Sequence, residues 1–259
     1  MTAPNPANVI AYYKFDEGTG TTAFDSTPNE YDGTITGATW TTGKINSGLS
    51  FGTTAQHRYV EVSGIGATIG TGDYTANVWV YVTDASTRQR LVFLGDTTGY
   101  ADVALDILIE NDGTIRAQFR DGPDSSVGTA TLVGSTLSED NWYMVTLTRS
   151  GTTAELFLNA VSQDSGTDAN VGASNTANLQ FGRAYGTTNL LDGVLDEISI
   201  ANTVYTQSEI DFLYASGSPT SEQQYPFSST PPPFTITTQA ATNIFSDQAT
   251  LNGEVSDLE

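Results

Sequence analysis

Asn141-Trp142-Tyr143-Met144-Val145-Thr146-Leu147-Thr148-Arg149 is rich in aromatic and β-branched residues and reads as one long strand. Ser150-Gly151 turns it back into Thr153 to Leu158. Working outward from this hairpin, the same kind of segment recurs. Tyr74 to Val82, with Trp79 inside it, lies upstream, followed by Arg90 to Leu94, Val103 to Ile109 and Thr114 to Phe119. Asn111-Asp112-Gly113 supplies the turn between the last two. Val9 to Phe15 opens the chain as a strand, Arg58 to Val62 alternates, and Leu190 to Ala201 is the final long strand region. Many strands at short spacing, with polar turns and no βαβ rhythm, predict an all-β antiparallel two-sheet sandwich.

One short helix follows. Thr206-Gln207-Ser208-Glu209 is a capping box, with Ile210, Leu213 and Tyr214 as the apolar face and Gly217 as the stop. Composition changes at Ser218. The expected division is a domain over 1–218, a Pro/Ser/Thr-rich linker over 219–233 ending in Pro231-Pro232-Pro233, and a further segment over 234–259. Within that segment 234–238 and 248–255 read as two strands. Two strands cannot bury a core alone, so the segment is expected to open a second module or to pair with another chain.

The charge is unusual. Asp and Glu total 30 against 9 Lys and Arg, a net of −21, and Lys14 and Lys44 are the only lysines. A scattered acidic surface poor in Lys matches adaptation to molar salt, where the Debye length is about 3 Å and self-repulsion is screened. It speaks against nucleic acid, which needs a basic patch. There is no Cys and therefore no disulfide. No apolar run reaches the roughly 18 residues needed to span a bilayer, so membrane insertion is not expected. Met1-Thr2-Ala3-Pro4 lacks the basic and apolar regions of a signal peptide.

Three ordered segments carry a resemblance. They are Ala11 to Gly20 with Asp25 to Thr34, then Gly43 to Phe51 running into Tyr59 to Val62, then Leu191 to Ile200 leading to the helix. The chain resembles the laminin-G-like, concanavalin-A-like jelly-roll family, and the final segment is similar to the start of a fibronectin-type-III or immunoglobulin-like module. The resemblance implies a jelly roll whose N- and C-terminal strands pair near residues 12 and 195. It also implies a structural Ca²⁺ near the Asp25 loop. Asp25, Asn29, Asp32 and Asp196 are the candidate ligands, since hard oxygens on a flexible loop suit calcium. Pro28 departs from the glycine usual there. The competing reading is that Asp25 and Asn29 make Asx turns and Asp196 bonds backbone amides.

Catalytic chemistry has less support. Asp192, Asp196 and Glu197 form an acid set, but adjacent strand residues point to opposite faces, which separates Asp196 from Glu197. His57 is the only His, too few for a zinc site. Trp40, Trp79 and Trp142 read as core or sandwich edge, with Tyr31, Tyr100 and Tyr185 as the exposed aromatic candidates. The expected function is a non-catalytic adhesion or receptor-recognition module of a surface-exposed assembly in high salt, such as the tail fibre or spike of a virus infecting a halophile. Its expected partner is a cell-surface glycan or glycoprotein, and a fibre would make it a homotrimer. The alternatives are a carbohydrate-binding accessory module of a secreted glycan-active enzyme and a purely structural virion or stalk component.

Overall fold

The computed structural model describes residues 1–52, 57–69, 72–95, 103–120, 131–167, 178–184 and 189–227, with the backbone alone for Phe119 and Arg120. The described strands are β1 (Val9–Tyr13), β2 (Thr22–Ala23), β3 (Gly33–Thr36), β4 (Thr39–Thr42), β5 (Ser47–Ser50), β6 (Tyr59–Val62), β7 (Tyr74–Val82) and β8 (Gln89–Gly95). Then come β9 (Val103–Ile109), β10 (Thr114–Arg120), β11 (Thr131–Thr136), β12 (Asn141–Ser150), β13 (Thr153–Leu158), β14 (Val161–Thr167), β15 (Leu179–Phe181) and β16 (Gly193–Ala201). Helix α1 (Gly66–Ile69) is one turn; α2 (Gln207–Tyr214) is the expected helix.

The strands form two antiparallel sheets. Sheet A runs β14-β13-β12-β7-β16-β5-β4, with β1 also paired to β16; sheet B runs β11-β10-β9-β8-β15-β6-β3-β2. The terminal strands do pair, with Tyr12 opposite Ser199 and Tyr13 opposite Ile198. Between the sheets Val78, Val80, Val145, Leu147 and Ile198 of sheet A meet Leu91, Leu105, Ile107, Ile115 and Phe181 of sheet B. Burial of this apolar area is the main force holding the sandwich.

A second apolar cluster covers the outer face of sheet A. Tyr12, Trp79, Met144 and Phe157 pack there under Ile210, Phe212 and Leu213 of α2 and under Phe227. Both halves of the capping box form: the Thr206 hydroxyl accepts from the Glu209 amide, and the Glu209 carboxylate accepts from the Thr206 amide at 2.7 Å. The helix ends earlier than Gly217 suggested. Ala215, Ser216 and Gly217 all have positive φ, so the left-handed turn starts right after Tyr214.

The structure also moves the expected boundary at 218. Thr220 caps a short 3₁₀ turn over Ser221–Gln223, and Gln224 and Phe227 are buried on the sandwich. Aromatic side chains within the Pro/Ser/Thr-rich stretch explain this, because Tyr225 and Phe227 find apolar partners on sheet A. Met1–Ser228 forms one compact unit and Ser229–Glu259 a second. The second, with the strands expected over 234–238 and 248–255, lies outside the described residues.

Candidate functional site

Each sheet carries a polar cluster on its outer face. On sheet A the cluster is built on a β-bulge in β16. Register slips between Asp196, opposite Trp79, and Ser199, opposite Asn77, and Glu197 takes the left-handed conformation at φ 49°. Leu195 and Ile198 both remain in the core, so the two acids between them share the outer face. This corrects the expectation that adjacency would split them.

Asp196 accepts from the amides of Lys44 at 2.7 Å, Ile45 at 2.9 Å and Glu197 at 2.9 Å. A Cβ on Gly43 would collide with this carboxylate and with the Ser47 carbonyl, which accounts for glycine there. Glu197 accepts from the Tyr12 hydroxyl and the Gln224 amide, and Gln224 also donates to Asp16 at 2.8 Å. Burial pushes both carboxyls well above their ordinary range, and the Glu197 charge pushes Asp196 further, while the Tyr12 and Gln224 hydrogen bonds draw Glu197 partly back. Lys44 Nζ lies 4.5 Å from the centre of the Trp79 ring, and Tyr214 stacks on the same ring.

The outer face of sheet B is different. A cross-strand row runs Thr34, Glu61, Gln180, Phe93, Asp106, Gln118 and Thr131, each directly opposite the next. Its floor is buried: Gln180, Phe93 and Asp106 are at most 1% exposed. Beside it Arg90 grips Asp106 with two parallel bonds, Nε to Oδ1 at 2.8 Å and Nη2 to Oδ2 at 3.0 Å. At one end Gln180 Nε2 and Arg183 Nη2 both donate to Glu61 Oε2, at 3.0 and 3.1 Å, and the Arg183 guanidinium lies over the Tyr59 ring. At the other end Arg88 and Arg116 converge on Glu110 Oε1, at 3.3 and 2.7 Å. Several buried polar atoms of this face find no hydrogen-bond partner among the described residues, namely Gln180 Oε1 and the Nε atoms of Arg88, Arg116 and Arg183.

The four residues expected to hold calcium do not make one shell. Asp25 Oδ1 accepts from the amides of Tyr12 and Thr27, and Oδ2 from the Thr27 hydroxyl and the Tyr31 amide, at 2.8 to 3.0 Å. Four donors occupy all the lone pairs of a carboxylate. Asp32 accepts from the Asp25 amide, and Asn29 donates to the Ile10 carbonyl. Among the described residues no three acids or histidines are grouped so as to hold a metal ion, and as placed these residues do not fit calcium.

The other expected site residues are scattered. Asp192 has Asp84 and Arg58 as its charged neighbours, apart from the Asp196–Glu197 pair. His57 is exposed. Trp79 is buried on sheet A, while Trp40 and Trp142 are half-buried. Tyr31 is half-buried too, its hydroxyl 2.7 Å from that of Thr68. Tyr100 and Tyr185 lie outside the described residues.

The sheet B cluster was not anticipated, although a signal for it exists. Asp106 is the one charge in the apolar run Val103 to Ile109, and Arg90 is the one charge in Arg90 to Leu94. Opposite charges in neighbouring buried strands imply a pair, since lone buried charges are too costly.

This architecture has relatives. Residues 53–211 match the family described as the concanavalin A-like lectin/glucanases superfamily. The chain belongs to this superfamily. No curated protein matches it. Among solved structures this concanavalin A-like chain is similar to domain 4 of AbnA, a GH43 extracellular arabinanase from Geobacillus stearothermophilus, in complex with arabinotriose. The TM-score is 0.61 at 20% identity, covering 78% of this chain and 96% of that one. It is similar to the binding domain of Paraclostridial Mosquitocidal Protein 1, with TM-score 0.65 and 17% identity over 83% of this chain and 53% of that one. It is also similar to Trypanosoma rangeli sialidase in complex with sialic acid, with TM-score 0.65 and 13% identity over 84% and 34% of the two chains. The chain thus spans about half of the mosquitocidal domain and a third of the sialidase. At these identities the likeness is one of fold, and function rests on the site.

Proposed function

We propose that this concanavalin A-like domain is a non-catalytic module that binds a cell-surface glycan on the outer face of sheet B. The observation that carries the reading is the unanswered polar set at the Glu61 end of the row. Gln180 is 1% exposed, yet among the described residues its Oε1 has no hydrogen-bond partner, and neither has the buried Nε of Arg183. Buried polar atoms without partners are rare and costly in native folds. A saccharide offers hydroxyls that both donate and accept, and the Arg183–Tyr59 stack adds a flat surface beside them. The sugars named with the AbnA domain and the sialidase support a saccharide as ligand class.

The test is a glycan array in high salt with wild type and Gln180→Leu. We expect the variant to bind about tenfold more weakly, the size of one or two buried hydrogen bonds. Equal binding by the variant, or no glycan bound by wild type, overturns the reading. The non-catalytic part is supported by the sheet A acids, which lie beneath Gln224 with protein donors on their oxygens. Release of sugar from a bound glycan would overturn it.

The finer reading is an adhesin or receptor-recognition part of a virion or cell-surface assembly in a saline habitat. It draws on the net charge of −21 and the two lysines. Binding to whole halophilic cells in molar salt tests it. A second reading, an accessory module of a secreted glycan-active enzyme, is favoured by the likeness to the AbnA domain. A hydrolase domain encoded in the same gene would decide for it.

A further inference from the structure

Four of the nine cationic residues gather on one face. In a chain of net −21, Arg88, Arg90, Arg116 and Arg183 all lie on or beside the outer face of sheet B. Two of them have a carboxylate each, Asp106 for Arg90 and Glu61 for Arg183. Arg88 and Arg116 share one. Both contact the same oxygen of Glu110, and Arg88 Nη2 also lies 3.4 Å from Gln118 Oε1. Asp112, which feels the Arg116 charge, turns its carboxylate to the Thr114 amide at 3.0 Å.

The cluster therefore holds two guanidiniums around one carboxylate, at the end of three neighbouring strands. Its side chains remain reachable: Arg88 is 34% and Arg116 31% exposed, against 13% for Glu110. The Nε of each arginine is buried and has no hydrogen-bond partner among the described residues. A network serving only to tie β8, β9 and β10 together would gain most from balanced charge. Here two guanidiniums crowd one oxygen of Glu110 while Asp112 turns to the Thr114 amide, so the direct ion pairs among the described residues are two forks to one carboxylate. Planar guanidinium forks match carboxylate and sulfate oxygens, two bonds at a time.

We propose that Arg88, Glu110 and Arg116 form an oxyanion seat, and that the glycan taken by sheet B carries a carboxylate or sulfate group. This rests on the glycan-binding reading above and narrows its ligand class to acidic saccharides. Screening in molar salt confines charge recognition to contact range, about 3 Å, where a seat of this kind still acts.

The test uses the full chain at fixed high salt, titrated with three probes: a galacturonate oligosaccharide, its carboxyl-reduced galactose counterpart and a sulfated galactose oligosaccharide of equal length. We expect wild type to bind at least one acidic probe about tenfold more tightly than the neutral one, as for a charge-assisted hydrogen-bond pair. The double variant Arg88→Gln/Arg116→Gln should lose that preference while keeping its affinity for the neutral probe. Glu110→Gln should bind the acidic probe more tightly than wild type, because it removes the competing carboxylate. A purely structural role for the cluster does not yield that gain. Equal affinity for neutral and acidic probes in wild type overturns the seat and leaves the glycan reading standing. Weaker acidic binding by Glu110→Gln overturns the seat as well. Binding of no probe by any form overturns both.

Discussion

The two outer faces of this sandwich solve the same problem in opposite ways. Sheet A buries its outer face under α2 and Phe227, with aromatic rings packed over Trp79 and an acid pair sealed beneath Gln224. Sheet B keeps polar side chains on its outer face and pairs them with one another, leaving several atoms unanswered. The first face is closed with protein; the second is built of groups that suit a hydrophilic ligand. Polar side chains of this kind, set among buried ones, are what a small-molecule site in a sandwich uses to fix a ligand.

The comparison breaks first at Asp106. Asp106→Ala removes the carboxylate that buried Arg90 grips with two bonds, and the domain should lose about 3–5 kcal/mol in denaturant unfolding. A loss below 1 kcal/mol would mean that the sheet B face is not organised by this pair. Next comes the lid on sheet A. Phe227→Ala should cost about 3 kcal/mol by the same measurement, since the ring is 7% exposed and touches Tyr12, Phe212 and Tyr225. No change would return the domain boundary to residue 218.

The acid pair gives a smaller, pH-dependent effect. Both carboxyls have folded pKa values above their unfolded ones, so the folded state holds their protons more tightly. The stability they contribute is fully present below about pH 4, where the unfolded carboxyls titrate, and is lost as pH rises through the raised folded values. Glu197→Gln should flatten this slope by about 1–3 kcal/mol across that window, read from chemical denaturation at several pH values in fixed high salt. A slope unchanged in the variant would show that the pair is not the origin. The smallest effect concerns the Asp25 loop. Its carboxylate is filled by four protein donors, so melting in EDTA and in calcium should coincide; a midpoint raised by calcium would place an ion in the loop after all.

Much of the sandwich was legible. β7, β9 and β13 have the expected limits, because long runs of β-branched and aromatic residues between turn residues leave little else to form. The strands β3, β4 and β5 are four residues each, rich in Thr, Ser and Gly, and carry no periodicity to read. β11 and β14 are mostly exposed edge strands, so burial imposes no pattern on them. The acid pair was invisible for another reason. Which face a strand residue takes follows from counting by two, and a bulge at Glu197 resets the count with nothing in the residue types to announce it. The domain end was masked by composition. Pro, Ser and Thr dominate after residue 218, and the two aromatics among them are what fasten the segment.

That fastening has a use in protein engineering. Thr2 bonds Ser208 of α2 and Ala3 packs into the same apolar cluster as Phe227, so the first and last described residues meet the sandwich on one side. Domains whose ends lie together tolerate insertion into a host chain. Residues 2–227 can therefore be spliced as a cassette into a surface loop of a carrier, with the arginine-bearing sheet turned away from the splice.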